Sequence, residues 1–279
     1  MPIVLGKTTS GEPYIADLTK LPHLLIAGAT GSGKTVGIDT IITSLLYKKH
    51  PKQLKFIIID PKKVEFQQYS VLSKHFLAVS PEINSEIVTE PADAITVLQA
   101  AVEEMETRYE ILASVGQRNI KYYNEEVRSG AFDHIKDFTH RELPYIVVII
   151  DELADLMMVS KKEIETSIVR LAQKARAIGI HLIVATQRSS TDIITGTIKA
   201  NFPSRIAYRV ASKADSRVIL DKYGAEKLLG NGDMLFLLYD ETIKIYNPFI
   251  SIDEIKKICS FIGNQAGYSN PYLLPYINE

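Results

Sequence analysis

The octapeptide GATGSGKT, residues 28–35, constrains this chain more than any other stretch. It is a complete G-x-x-x-x-G-K-[ST] motif, and its flanks supply the context that motif needs. Ahead of it, HLLIAG is a short apolar run of the kind that forms a buried strand. Behind it, Ile38, Ile41, Ile42, Leu45 and Leu46 recur at helical spacing. A loop from strand to helix is therefore expected. In it, Gly28, Ala29, Thr30, Gly31, Ser32 and Gly33 turn main-chain N–H groups toward an anion, and the helix N-terminus adds partial positive charge. Gly31 and Gly33 permit the tight turn. Lys34 is expected to reach the outer phosphates of a nucleotide, and Thr35 to offer its hydroxyl to Mg²⁺.

The remaining sequence says what kind of body carries this loop. The 279 residues can bury one large core or two modest ones, and 46% apolar with 23% charged residues is ordinary for a globular chain. The longest apolar runs, such as YIVVII, are far too short to cross a bilayer, and no secretory leader is legible, so no membrane contact is expected from this chain itself. Cys259 is the sole cysteine, which excludes an intrachain disulfide and a Cys-rich metal site and reads as a buried or idle thiol. The net charge of −1 means that a polyanionic partner must be held by a local patch.

PIVLGKTTSGEPYIADL reads as a β-hairpin turning at Ser10–Gly11. Further strands are expected at 55–60, 145–151, 180–186 and 204–210, with helices at 91–114 and 162–178. Val/Ile runs alternating with helices predict a mainly parallel central sheet buried on both faces. The polar stretch 116–143 resists assignment. Residues 1–250 read as one core, and 251–279 as a short helix with a Pro- and Tyr-containing tail.

VVIIDE brings Asp151 to the C-terminal end of a strand, where α/β sheets bind ligands. Asp151 is suited to hold Mg²⁺ opposite Thr35, and Glu152 to orient and polarise a water beside a γ-phosphate. The bland alternative is that both acids merely cap the following helix. VATQR ends the next strand, so Gln187 is expected at the same edge as a γ-phosphate sensor, unless it is an ordinary polar strand end. Loop, intervening strand, Asp-Glu strand and Gln strand in this order fit an α/β, RecA-like P-loop ATPase with an N-terminal hairpin. A GTPase is disfavoured, because the nearest approach to N-K-x-D is SKAD (212–215), whose Ser212 lacks the amide.

Two features stay open on residues alone. Arg176 lies off the apolar stripe of the 162–178 helix, which predicts an exposed guanidinium, and a solvated surface arginine explains that adequately. Between 188 and 217, Arg188, Lys199, Arg205, Arg209, Lys213 and Arg217 face only Asp192 and Asp215. Arg205 and Arg209 fall in a strand and read as structural, while the other four fall in or beside loops. A solvated basic face is an adequate account of these too.

Several strings together resemble the FtsK/SpoIIIE family of DNA translocases: PHLLIAGATGSGKT, IIIDPKKVE, PYIVVIIDELADLMM, RLAQKARAIGIHLIVATQR and NFPSRIAYRVASKADSRVILD. The resemblance runs from about residue 2 to 250. It implies an ATP- and Mg²⁺-dependent motor core that assembles as a hexameric ring and pumps double-stranded DNA through its pore. It further implies that Arg176, in QKARA, is an arginine finger acting in trans, and that Arg188, Lys199, Lys213 and Arg217 face the DNA. Whole members carry membrane spans and a linker before a cytoplasmic motor portion and a winged-helix module after it. None of these is in the 279 residues, so an isolated motor core is expected. Ser189 stands where the family commonly has proline. A related ring ATPase that moves protein is the main alternative, and a non-hydrolysing nucleotide-binding module the other.

Overall fold

The computed structural model describes residues 1–21, 23–135 and 139–277. The chain begins with strands β1 (Pro2–Thr8), β2 (Pro13–Asp17) and β3 (His23–Ala27), then helix α1 (Lys34–Lys48). After β4 (Leu54–Ile59) come a 3₁₀ turn (Gln67–Leu72), β5 (Ala78–Val79), α2 (Pro91–Ser114) and α3 (Ile120–Ser129). The second half holds β6 (Tyr145–Ile150), α4 (Leu153–Lys174), β7 (Ile180–Thr186) and α5 (Gly196–Asn201). It continues through β8 (Ser204–Tyr208), α6 (Lys213–Leu220), β9 (Asp233–Leu238) and β10 (Glu241–Tyr246) to α7 (Ile252–Gly263) and β11 (Tyr272–Leu273).

One nine-stranded sheet runs β2-β1-β10-β9-β8-β3-β7-β6-β4. From β8 to β4 the neighbours are parallel, with Leu25 opposite Val184 and Ile57 opposite Val148. From β8 to β2 every pairing is antiparallel. The expectation of a mainly parallel sheet is thus corrected to a mixed one. The cause lies in the connections. Only Tyr239 and Asp240 separate β9 from β10, and Tyr239 adopts a left-handed φ of 53°. So short a link makes a hairpin, since a parallel crossover needs a dozen residues or more.

The parallel strands are buried on both sides, as their continuous Val/Ile runs require. Side chains alternate along each strand. Leu25, Ile57, Val148 and Val184 join one core with α2 and α4. Leu24, Ile58, Val147 and Ile183 join the other with α1 and the N-terminal hairpin. Within 116–143, α3 is capped by Asn119, whose side chain accepts from the Tyr122 N–H, and by left-handed Gly130. Residues 136–138 of that stretch lie outside the described residues. In the tail, α7 opens with a Ser251–Glu254 capping box, and β11 pairs in parallel with β5. Among the described residues no helix is long and apolar enough to cross a membrane.

Cys259 is buried on α7, and burial pushes its thiol up to about 12, so it is chemically idle. Nearby, Asp39 on α1 is buried and accepts a 2.7 Å hydrogen bond from the Tyr69 hydroxyl. Burial pushes its carboxyl up from 3.8 to about 7, although the Tyr69 bond opposes the shift; Glu65 and Asp151 add to it. The folded chain therefore binds more protons here than the unfolded chain across that window, and stability falls as pH rises through it. Asp39→Asn keeps an acceptor for Tyr69 and removes the ionisation. It is expected to raise the Tm at about pH 8, by on the order of a few kcal/mol in stability, and to lose that advantage toward about pH 5. Melting curves at both pH values check this; a gain independent of pH would contradict it.

Candidate active site

The phosphate loop leaves β3 at Ala27 and enters α1 at Lys34. Its neighbours in the sheet fix it. The Gly28 N–H donates to the Thr186 carbonyl at the end of β7, and the Ala29 N–H to the Arg209 carbonyl just after β8. From the far side, the Gly232 N–H donates to the Ser32 carbonyl at 3.0 Å. That approach is what requires glycine at 33: its φ is 106°, and a Cβ there would stand 2.6 Å from the Gly232 nitrogen. A cavity of about 470 Å³ opens over the loop, walled by Gln187, Asn231, Pro248 and Phe249. Phe249, 81% exposed, offers an apolar surface at its mouth.

Lys34 is buried and pairs with Asp151, donating to Oδ1 at 2.7 Å and to the main-chain carbonyl at 2.9 Å. Among the described residues, the other carboxylate oxygen, Oδ2, is buried without a hydrogen-bond partner, as is the Ser32 hydroxyl. Unpartnered buried polar atoms are costly, and both of these flank the loop. Thr30 Oγ1 donates to Gln187 Oε1 at 3.0 Å, which ties the amide to the loop's crown.

Glu152 occupies the N-cap position of α4, yet its side chain makes no capping bond. That disfavours the helix-cap alternative. The carboxylate, 2% exposed, accepts instead from Thr186 Oγ1 at 2.6 Å and from the Gln187 N–H at 3.1 Å. It also takes an ion pair from Lys62 at 3.1 Å. The Thr186 hydroxyl in turn accepts from the Arg188 N–H at 3.1 Å. One hydrogen-bonded chain thus runs from the basic loop to the acid.

Lys62 is a residue that sequence reasoning missed. Its position follows from Asp60, which ends β4. Asp60 Oδ1 accepts from the N–H groups of Lys62 and Lys63, and Oδ2 from those of Glu65 and Phe66. Both oxygens therefore fold the DPKKVE loop, with Lys63 left-handed at φ 64°. The same loop carries Glu65, half-buried, whose carboxyl is pushed up by burial and then by the Asp151 charge. The signal for this in the sequence was the string DPKKVE, an aspartate at a strand end followed by Pro61 and two lysines.

The six basic residues of 188–217 divide in the structure. Arg205 is buried and donates to the carbonyls of Lys199, Phe202 and Ile219 and to Asp221. Lys199 is held by Asp221 at 2.6 Å. Arg188 is more than half exposed and lies near Asp155 at 3.9 Å. Lys213 and Arg217, one turn apart on α6, are exposed and form no ion pair among the described residues. Arg209 is exposed beside the loop of Gly230.

Arg176 is exposed, but not on a helix. α4, kinked at Ser160, ends at Lys174, and Arg176 rides the turn that precedes β7. The expected helix to 178 is corrected accordingly. The turn is clamped by Arg108 Nη1 on the Ile178 carbonyl, the Tyr109 hydroxyl on the Lys174 carbonyl and the Ile120 N–H on the Ala177 carbonyl. It lies at the edge of the sheet opposite the phosphate loop.

A model of the FtsK/SpoIIIE family matches residues 1–191. The DNA translocase FtsK of Chlorobaculum tepidum is 52% identical over 278 residues, which cover 99% of this chain and 33% of that protein. DNA translocase FtsK of Streptococcus pneumoniae is 51% identical over 266 residues, 95% of this chain and 33% of that protein. The chain spans about a third of the length of the curated relatives it matches. Among solved structures, the pCW3 conjugation coupling protein TcpA, in a monomer form with ATPgS, superposes with a TM-score of 0.76 at 31% identity. That match covers 93% of this chain and 70% of TcpA. The cytoplasmic domain of the type VII secretion ATPase EccC of Thermomonospora curvata gives a TM-score of 0.78 over 100% of this chain and 32% of that one. At 21% identity it bears on the fold alone.

Proposed function

The chain belongs to the FtsK/SpoIIIE family, and from that premise we propose that it is the ATP-hydrolysing motor of a double-stranded DNA translocase. Residues 1–250 are the motor core and 251–279 an appended helix and tail. Copies work as a hexameric ring that pumps DNA in chromosome segregation and cell division, on the cytoplasmic side of the bacterial inner membrane in which the whole protein is anchored. The observation that carries this reading is the hydrogen-bonded chain Arg188–Thr186–Glu152. It joins a candidate DNA-facing loop to the acid of the hydrolytic site.

In that reading the loop 28–33 and Lys34 bind the phosphates of ATP, Glu152 polarises the attacking water, and Gln187 senses the γ-phosphate. Thr35 and Asp151 would hold Mg²⁺, and Oδ2 of Asp151, without a hydrogen-bond partner among the described residues, fits an ion or its bound water. Among the described residues no cluster of three His, Cys, Asp or Glu could cage a metal. A single carboxylate with substrate oxygens and water suits Mg²⁺. Its chemistry there is to neutralise phosphate charge.

DNA contact is assigned to Arg188, Lys199, Lys213 and Arg217. Lys213 and Arg217 are the freest of them, while Lys199 must first leave Asp221. Each phosphate contact adds about −0.9 to the slope of log K against log salt on B-form duplex. Arg217→Ala is therefore expected to flatten that slope and to weaken binding equally across unrelated sequences. Lys256→Ala, at an exposed position of α7, is the control and should leave the slope unchanged. Salt titrations of duplex binding, with ATPase rates with and without DNA, test the assignment. Equal effects of both substitutions, with no stimulation by DNA, would favour a protein-moving motor.

A further inference from the structure

Both oxygens of Glu152 are engaged by protein donors. Oε1 has the Thr186 hydroxyl and the Gln187 N–H; Oε2 has the same N–H and Lys62 Nζ. Three donors hold this carboxylate, one N–H being shared between its oxygens, and at 2% exposed its surface is closed to a water. To polarise one, it must lose a partner. The Gln187 N–H belongs to the main chain at the end of β7 and cannot leave without moving the strand, and the buried Thr186 hydroxyl is held between Glu152 and the Arg188 N–H. Lys62 is different. Its ammonium sits on a flexible stem, 27% exposed, and the Asp60 turn fixes its backbone.

We propose that Lys62 is a γ-phosphate-sensing residue, a second lysine of the site that exchanges Glu152 Oε2 for a γ-phosphate oxygen of ATP and thereby frees the carboxylate to engage water. The inference rests on the reading that ATP is hydrolysed at this site. Its chemistry is an exchange of one charge-assisted hydrogen bond for another. The dense charge of a terminal phosphate competes well against a carboxylate that keeps its two remaining donors. Lys34 pairs with Asp151 and Lys62 with the adjacent Glu152, which sets both ammonium groups at the same end of β6. ADP lacks the γ-phosphate and leaves Lys62 on Glu152. The lysine then discriminates between the two nucleotides.

The test is the ratio of dissociation constants for ATPγS and ADP, measured calorimetrically with Mg²⁺ on the full chain. Lys62→Ala and Lys62→Gln are expected to bind ADP within about twofold of the unsubstituted chain. Both should bind ATPγS about 10- to 100-fold more weakly, the value of one hydrogen bond to a charged group. Lys62→Arg keeps the charge and should retain most of the preference. Equal weakening of both nucleotides would mean that Lys62 only shapes the loop, and an unchanged ratio would mean that it does not sense phosphate; either result overturns the proposal. The binding ratio does not depend on turnover. Absence of ATPase activity in the unsubstituted ring would instead strike the underlying reading.

Discussion

Chains carrying Arg176→Ala are expected to hydrolyse ATP on the order of 10³-fold or more slowly than unsubstituted chains, the range in which arginine fingers act. The sheet makes this a prediction about neighbours. Arg176 precedes β7 and the phosphate loop follows β3; the two strands are parallel and adjacent. The seven residues of β7 separate the edges by roughly 20 Å, at about 3.3 Å per residue. An arginine side chain cannot cross that distance to its own loop. It can reach a loop only on another copy, and the clamps from Arg108, Tyr109 and Ile120 hold its turn in a fixed presentation.

Two results should accompany the loss. Turnover per chain should rise with protein concentration as rings form. Mixing Arg176→Ala with Glu152→Gln chains should restore part of the activity, because the second chain supplies Arg176 to the first chain's intact site. Since Arg176 is exposed, its replacement should leave the stability within about 0.5 kcal/mol of the unsubstituted chain. Full activity in Arg176→Ala at every concentration would return the residue to an ordinary solvated surface.

Those residues whose placement depends on local pattern were legible in the sequence. β7 falls on 180–186 and α2 on 91–114 as read, because a doubly buried strand is a continuous apolar run and a long amphipathic helix has a strong period. In the antiparallel half of the sheet the N-terminal hairpin and β8 were legible, but β9, β10 and the pairing that joins them to the rest were not. Whether the N-terminal hairpin stands alone or docks on β10 is a tertiary matter that no window of sequence records. α3 was hidden for a related reason. Its buried residues include Asn124, whose amide bonds to the main chain of Leu143 at both ends, a polar group that only the fold makes acceptable in a core.

At the site, the sequence set Arg205 apart as structural, and packing buries it; it did not show that Lys199 is tied to Asp221, or that Arg209 is exposed, while Lys213 and Arg217 form no ion pair among the described residues. Arg176 was read as exposed on a helix face; it is exposed because the helix has already ended. Lys62 was invisible because its partner lies 90 residues away on another strand's end.

Glu152→Gln is expected to bind ATP and to lose turnover by about 10²- to 10⁴-fold, the usual contribution of a positioned acid or base. Lys34→Ala makes the instructive contrast. Removing Lys34 strips the loop of its charged phosphate ligand and also leaves Asp151 buried and unpaired. Breaking a buried pair in this way costs about 3–5 kcal/mol, so that variant should lose nucleotide binding and melt early. Glu152→Gln has a milder structural effect. Its amide oxygen can keep the Thr186 hydroxyl and the Gln187 N–H, with the NH₂ turned toward Lys62, and Lys62 can swing into solvent. Folding and binding should survive while catalysis does not. Nucleotide binding, Tm and phosphate release, measured together, separate the two cases. Near-normal turnover in Glu152→Gln would reduce the acid to a structural anchor for Thr186 and Gln187. The hydrogen-bonded path to Arg188 would then carry no chemistry, and the coupling of DNA to hydrolysis would have to run through another part of the ring.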